Sequence, residues 1–138
     1  MKRYLGLDLG TKTLGVAITD KSNTIIFPHC TIRFERENYD EAIEKLKPII
    51  EKEEITDVAI GLPINMDGSL GFATRRTENF IPKLKALGVN VFTVDERLTS
   101  VEAERLLHDS NLKSKEFKDK VDMEAAVLIL ESYLRSIS

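Results

Sequence analysis

The sequence has few of the side chains that form disulfides or bind soft metals, with one cysteine and two histidines in 138 residues. Because Cys30 is alone, an intrachain disulfide and a paired-cysteine metal site are both excluded. Cys30 directly follows His29, and neighbours on a strand point to opposite faces, so the two make a poor pair of metal ligands. The sequence therefore favours neither a disulfide scaffold nor a site built from these two residues.

Long apolar runs are also missing. No stretch approaches the roughly 20 apolar residues that span a bilayer, and residues 1–3 lead into an apolar segment without the features of a signal peptide. With 42% hydrophobic and 31% charged residues, the composition is that of an ordinary globular protein. We therefore expect one domain over residues 1–138, no membrane contact and a cytoplasmic location.

An excess of positive charge is missing as well, since the formal net charge at pH 7 is −3. This balance argues against a protein that coats nucleic acid through a broad basic face. It remains compatible with an enzyme in which a local basic rim surrounds an acidic metal site.

Residues 4–20 are the most informative stretch that is present. Leucine alternates with glycine or aspartate over residues 5–10, which is the period of a strand with two distinct faces. A second apolar run, residues 14–18, follows a link short enough for a hairpin. Asp8 lies within the first strand, where burying its charge costs free energy unless it is compensated. It either binds a cation or orders the turn through the hydroxyl of Thr11 or Thr13.

Periodicity and turn residues predict the other elements in turn. Pro28 would occupy an edge or a bulge of the third strand, because proline lacks the N–H that a central strand requires. An antiparallel meander followed by strand–helix alternation predicts an α/β fold, with one mixed five-stranded sheet and helices on both faces. The predicted elements are strand 24–34, helix 39–53, strand 57–62, helix 72–87, strand 89–94, helix 99–107, a lysine-rich loop over 108–120 and helix 121–137.

Four segments that occur in this order carry a resemblance to a known family. They are LDLGTKTLGVA at 7–17, GLPINMDG at 61–68, VDERLTSVEA at 94–103 and DMEAAVLIL at 122–130. Together they resemble the YqgF/RuvX family, and the resemblance spans essentially the whole chain.

The resemblance implies a ribonuclease H-like fold and a metal-dependent nuclease. Members are described as Holliday junction resolvases and as nucleases that mature the 5′ end of the small-subunit ribosomal RNA precursor. Carried over residue by residue, the catalytic and metal-binding acids are Asp8, Glu96 and Asp122. The implied cofactor is Mg²⁺ or Mn²⁺, the implied partner is precursor ribosomal RNA or branched DNA, and the chain would act as a monomer or a homodimer.

The placement of these acids supports the same set on physical grounds. Asp8 lies in the first strand, Glu96 follows the end of a later strand and Asp122 begins the predicted last helix. Ligand sites of open α/β sheets gather at such strand ends, and carboxylates are the hard oxygen ligands that magnesium prefers. Two alternatives stay open: Asp122 could only cap its helix, and Asp95 could be the ligand in place of Glu96.

For substrate contact the sequence offers Lys12, Arg75, Arg76 and Arg97, since these cations can bind phosphate. The Lys113–Lys120 segment could close over a substrate or make no contact with it.

Two other function classes compete with the nuclease. The residues Asp8-x-Gly-Thr11 also resemble the first phosphate loop of actin-like ATPases and sugar kinases. Those enzymes clamp a nucleotide between two lobes, and one domain of 138 residues has room for only one of them. The third class is a non-catalytic module that binds ribosomal RNA, which a net negative charge suits slightly better.

Overall fold

The computed structural model of the chain describes residues 2–99 and 115–138. No helix in these two ranges is long and apolar enough to cross a membrane. The predicted helix over 99–107 lies almost wholly outside the described residues. The elements are β1 (Tyr4–Leu9), β2 (Thr13–Thr19), β3 (Ile26–Arg33), α1 (Tyr39–Lys52), β4 (Asp57–Leu62), α2 (Phe72–Lys85), β5 (Asn90–Asp95), a 3-10 turn (Glu96–Leu98) and α3 (Lys115–Ile137).

The five strands form one mixed sheet in the order β3-β2-β1-β4-β5. β1, β2 and β3 pair antiparallel, whereas β1, β4 and β5 run parallel. The predicted meander followed by parallel strands is therefore confirmed. Pro28 lies in the edge strand β3, where Val16 pairs with Cys30 and Ala17 pairs with Pro28. His29 is thus the extra residue of a bulge, as the position of the proline predicts.

α1 and α2 pack against one face of the sheet through large apolar side chains. In α1, Asn38 caps the helix by accepting a hydrogen bond from the Glu41 N–H, and buried residues recur every fourth position at Ala42, Leu46 and Ile50. The leucines of β1 meet this layer. This core contains Leu5, Leu7, Leu14, Val16, Leu46, Ile60, Phe80 and Leu84, all at most 1% exposed.

α3 packs against the opposite face, which small residues line. A methyl group added to Gly6 would lie 2.6 Å from the Ala126 carbonyl oxygen, and one added to Gly15 would lie 2.6 Å from the Asp122 carbonyl carbon. The backbone of α3 therefore rests directly on β1 and β2. Ala125 and Ala126 of the helix are buried in this contact. Helices on both faces of the sheet, as predicted, follow from these two cores.

The predicted boundary between loop and last helix was wrong. α3 begins at Lys115 rather than at residue 121, so residues 115–120 are helical and not part of a loop. Lysine has a high intrinsic helix propensity, so this segment can be helical. Because a helical face turned to solvent carries no apolar residues at helical spacing, the periodicity of the sequence does not reveal it. Tertiary contacts also hold this part: Arg33 forms an ion pair with Asp119, and the Thr31 hydroxyl donates to the Asp119 carbonyl at 2.8 Å.

The earlier start of α3 changes the surroundings of Asp122. This residue lies about two turns inside the helix rather than at its first residue. Its backbone N–H and side chain are therefore not in an N-cap position, and the interpretation of Asp122 as a helix cap was wrong.

The contact at Gly15 predicts a large effect of a single methyl group. We expect Gly15→Ala to lower the free energy of unfolding by about 3 kcal/mol, because the backbone of α3 has to move away from β2. Urea unfolding followed by circular dichroism measures the loss. Gly71→Ala is the matched control, since its methyl group would meet only the Asn65 side chain, at 3.5 Å. A Gly15 variant as stable as the Gly71 variant would contradict the close contact.

Candidate active site

A cavity of about 470 Å³ opens at the carboxyl ends of the parallel strands β1 and β4. The end of β1, the β1–β2 link, the start of α2, the 3-10 turn and α3 all contribute to its wall. Ligand sites are expected at this edge of a mixed or parallel sheet, where loops diverge beyond the strand ends. The cavity contains Asp8, Glu96 and Asp122 together, although they come from three segments that are distant in sequence.

The register of the sheet and the glycines bring these three acids together. Asp8 pairs with Gly15 across the antiparallel ladder, and Gly15 touches the backbone of Asp122. Asp8 and Asp122 are therefore held at the same place on the sheet. A methyl group on Gly61 would lie 2.9 Å from the Oε1 atom of Glu96, so the Glu96 side chain lies over the end of β4. Asp8 is 6% exposed and Glu96 is 3% exposed, so both carboxylates lie deep in the wall.

Asp95 and Glu96 have separate roles in the turn that follows β5. Asp95 accepts hydrogen bonds from the backbone N–H of Arg97 at 2.9 Å and from its Nη2 at 2.8 Å. The hydrogen bonds from the Arg97 side chain hold the pKa of Asp95 below its usual value. Asp95 is thus occupied by its neighbour, whereas Glu96 lines the cavity. The alternative in which Asp95 replaces Glu96 has no support from this arrangement.

The donor set of the cavity fits a hard divalent cation in its chemistry. All three acids offer carboxylate oxygens, which are the ligands of Mg²⁺ and Mn²⁺. Within residues 2–99 and 115–138, no three acidic, histidine or cysteine side chains lie close enough together to hold a metal ion by themselves. A cation bound by these acids would therefore need further oxygen ligands, such as water or the phosphate of a substrate.

Four cationic side chains also line the cavity. Two of them, Lys12 and Arg76, are among the predicted substrate contacts, whereas the other two, Arg36 and Lys118, are not. Arg36 reaches the cavity because the segment after β3 is hydrogen-bonded to the β1–β2 link. The Thr11 carbonyl accepts a hydrogen bond from the Glu37 N–H at 2.8 Å. No local motif marks Arg36, and Lys118 belongs to a segment whose contact with substrate the sequence left open.

The remaining two predicted substrate contacts lie outside the cavity wall. Arg75 is exposed on α2. Arg97 forms an ion pair with Asp95. The Nη1 atom of Arg97 would lie 3.6 Å from a methyl group added to Gly68. Their contact with a substrate stays a prediction.

Arg76 lines the cavity near Tyr39. Burial raises the pKa of the Tyr39 hydroxyl, while the positive charge of Arg76 opposes that shift. The guanidinium group carries five N–H donors in a planar fork. Arg76 is therefore a cation suited to an anionic ligand.

Solved structures of other proteins show the same fold. The chain is similar to RuvC of T. thermophilus in complex with a Holliday junction substrate, with a TM-score of 0.62, 15% identity and coverage of 100% and 98% of the two chains. It is also similar to a Fowlpox virus resolvase bound to Holliday junction DNA, with a TM-score of 0.55, 14% identity and 98% coverage of both chains. The fold is that of the ribonuclease H-like proteins.

Sequence comparison gives the family within this class. Residues 2–136 match the family model described as "RuvX: Holliday junction resolvase". A protein of Clostridium acetobutylicum named "Putative pre-16S rRNA nuclease" is 40% identical over 98% of this chain and 99% of its own length. A protein of the same name from Thermoanaerobacter pseudethanolicus is 41% identical over 97% of this chain and 96% of its own. The chain belongs to the RuvX family of nucleases, which confirms the predicted resemblance and sets aside the phosphotransferase.

Two neighbouring arginines of α2 provide a matched test of the cavity as a nucleic-acid site. We expect Arg76→Ala to weaken binding of a short RNA about tenfold and to reduce the salt dependence of binding by about one phosphate contact. Arg75→Ala should have a smaller effect, because Arg75 does not line the cavity. Fluorescence anisotropy across a salt series measures both, and equal losses in the two variants would contradict this division.

Proposed function

We propose that this protein is a magnesium-dependent nuclease that matures the 5′ end of the small-subunit ribosomal RNA precursor. The whole chain would act as one nuclease domain in the cytoplasm. The names of its closely similar relatives support this RNA substrate, and the membership of the RuvX family supports the phosphodiester chemistry.

The observation that carries the proposal is the union of three carboxylates and four cations in one cavity. Carboxylates gathered in one cavity cost free energy unless cations or hydrogen bonds compensate their charge. Phosphodiester hydrolysis explains why carboxylates and cationic side chains occur in the same cavity. The carboxylates would hold Mg²⁺ or Mn²⁺, and the cations would hold the phosphates of the substrate.

Each group has a distinct part in this scheme. Asp8, Glu96 and Asp122 would bind the divalent ion, which when present supplies an activated water and stabilises the leaving oxygen. Arg76 would bind a phosphate in bidentate fashion, whereas Lys12 and Lys118 would act as point charges. The rigid β-sheet under Asp8 and the helix under Asp122 keep the acids in register while the substrate binds.

Cleavage of four-way DNA junctions is the second candidate, because the family model carries that description. A resolvase cuts two strands symmetrically, so this function calls for two copies of the chain. Processing of an RNA end makes no such demand, and a monomer would suffice.

Substitution of the three acids tests the proposed metal site. We expect Asp8→Asn, Glu96→Gln and Asp122→Asn each to reduce magnesium-dependent cleavage at least a hundredfold, because a neutral amide is a poor ligand for a hard cation. Asp95→Asn should retain most of the activity, since its side chain faces Arg97. Initial cleavage rates measure the effect, and the thermal unfolding midpoint of each variant checks that it is folded. An active Asp8→Asn protein, or an Asp95→Asn protein as impaired as the Glu96 variant, would contradict the assignment.

A choice between two substrates tests the biological role. We expect the parent protein with Mg²⁺ to cut a precursor ribosomal RNA fragment near its 5′ end, and Asp8→Asn to leave it intact. A four-way DNA junction is assayed side by side under the same conditions. Paired symmetric nicks in the junction and no cut in the RNA would replace the processing role by junction resolution. Tight binding of RNA without any metal-dependent cleavage would instead favour a non-catalytic module.

A further inference from the structure

Large apolar side chains face water on the segment from the end of β4 to the start of α2, in which Pro63 and Ala73 line the cavity. Three residues of this segment are more than half exposed, and we call them the apolar rim: Met66, Leu70 and Phe72. Phe72 is the extreme case at 91% exposure. Phe80, on the same helix, is only 1% exposed. A phenylalanine of α2 can therefore be buried, and the exposure of Phe72 is not a property of the whole helix. An apolar cluster left in water beside a functional cavity indicates a surface for binding.

The chain holds Phe72 firmly at this position. Its neighbour Ala73 lines the cavity, as does Pro63 at the end of β4. The Thr74 hydroxyl donates to the Pro63 carbonyl and accepts from the Gly71 N–H at 3.3 Å. The first turn of α2 is therefore bound to the chain that leaves β4. Phe72 projects from a fixed helix start rather than from a free loop.

The other members of the apolar rim lie beside the same loop. Asp67 accepts hydrogen bonds from the N–H and the hydroxyl of Ser69, and the Asn65 side chain also bonds that hydroxyl, at 3.0 Å. The Nη1 atom of Arg97 lies close to Gly68, so this loop and the turn after β5 approach each other.

The charges next to the apolar rim identify its occupant. Lys12, Arg36, Arg76 and Lys118 line the adjoining cavity and suit a phosphate backbone, while Arg75 lies exposed three residues after Phe72. A strand whose phosphate enters the cavity carries its bases within reach of the rim. Bases of a duplex are already stacked on one another, whereas an unpaired base can stack on an aromatic ring.

We propose that Phe72 is a stacking platform for an unpaired nucleobase next to the cleaved phosphate. The proposal rests on the proposed nuclease function and adds the substrate class: a strand that is single-stranded at the cut. Met66 and Leu70, on the loop before α2, add apolar surface beside the base, and the adjacent cations hold the backbone. The site thus selects for an unpaired region by stacking and not by the identity of the base.

The chain contains no tryptophan, which makes a direct optical test available. Phe72→Trp introduces a single indole at the proposed platform. Phe27→Trp is the matched control, because Phe27 is 47% exposed and pairs with Ile18, at the end of β2 away from the cavity. Each protein is titrated without added metal with an RNA of about 12 nucleotides, once single-stranded and once annealed to its complement. Anisotropy of a dye on the RNA records binding independently of the indole.

We expect single-stranded RNA to quench Trp fluorescence in the Phe72→Trp protein and to leave it unchanged in the Phe27→Trp protein. The annealed duplex should bind through its phosphates with little quenching at position 72. Binding of the single strand without quenching at position 72, or equal quenching by the duplex, would overturn the proposal. Because no cleavage is needed, an inactive enzyme does not affect this readout.

Removal of the ring provides the second measurement. Phe72→Ala should bind the single-stranded RNA about tenfold more weakly than the parent and bind the duplex equally well, and Phe72→Tyr should restore the loss. Where the parent cleaves, KM should rise with kcat retained. If Phe72→Ala leaves RNA binding intact and instead lowers self-association in sedimentation velocity, the apolar rim is a protein contact and the proposal is wrong.

Discussion

The candidate site depends on the direct contact between the backbone of α3 and two glycines of the sheet. Gly6 lies under Ala126 and Gly15 lies under Asp122, so no side chain separates the helix from the strands. The register of β1 and β2 then fixes Asp8 opposite Gly15. A side chain at either glycine would lift the helix and move Asp122 away from Asp8. The geometry of two acids is therefore set by the absence of two side chains.

The position of the third acid, Glu96, depends on the short turn after β5, in which Asp95 and Glu96 make different contacts. Asp95 turns to Arg97 and stabilises the turn, while Glu96 is buried over Gly61 at the end of β4. Alternation along the chain sends neighbours in opposite directions, and the hydrogen bonds of Arg97 hold Asp95 in the turn while Glu96 lines the cavity. The structural ion pair and the proposed metal ligand are thus parts of one local arrangement, in which neither acid replaces the other.

The sequence predicts the sheet, the position of Asp8 and the bulge near Pro28, because alternation and the missing proline N–H are local properties. It fails at the start of α3, since exposed lysines such as Lys118 and Lys120 add no apolar period to the sequence pattern. It also misses Arg36, which reaches the cavity only through backbone contacts between two links. Arg75 and Arg76 look equivalent in the sequence, and only the rotation of α2 about its axis separates them. The sequence does not predict the contacts between elements that are distant along the chain.

The two faces of the sheet differ in how much change in sequence they can absorb. On the side of α1 and α2, a leucine such as Leu7 can be exchanged for isoleucine or methionine at a cost below about 1.5 kcal/mol, because the volume is kept. On the side of α3 no residue smaller than glycine exists, so Gly6 and Gly15 have no substitute. Redesign of this chain therefore has room in the aliphatic layer and almost none on the face that holds the three acids.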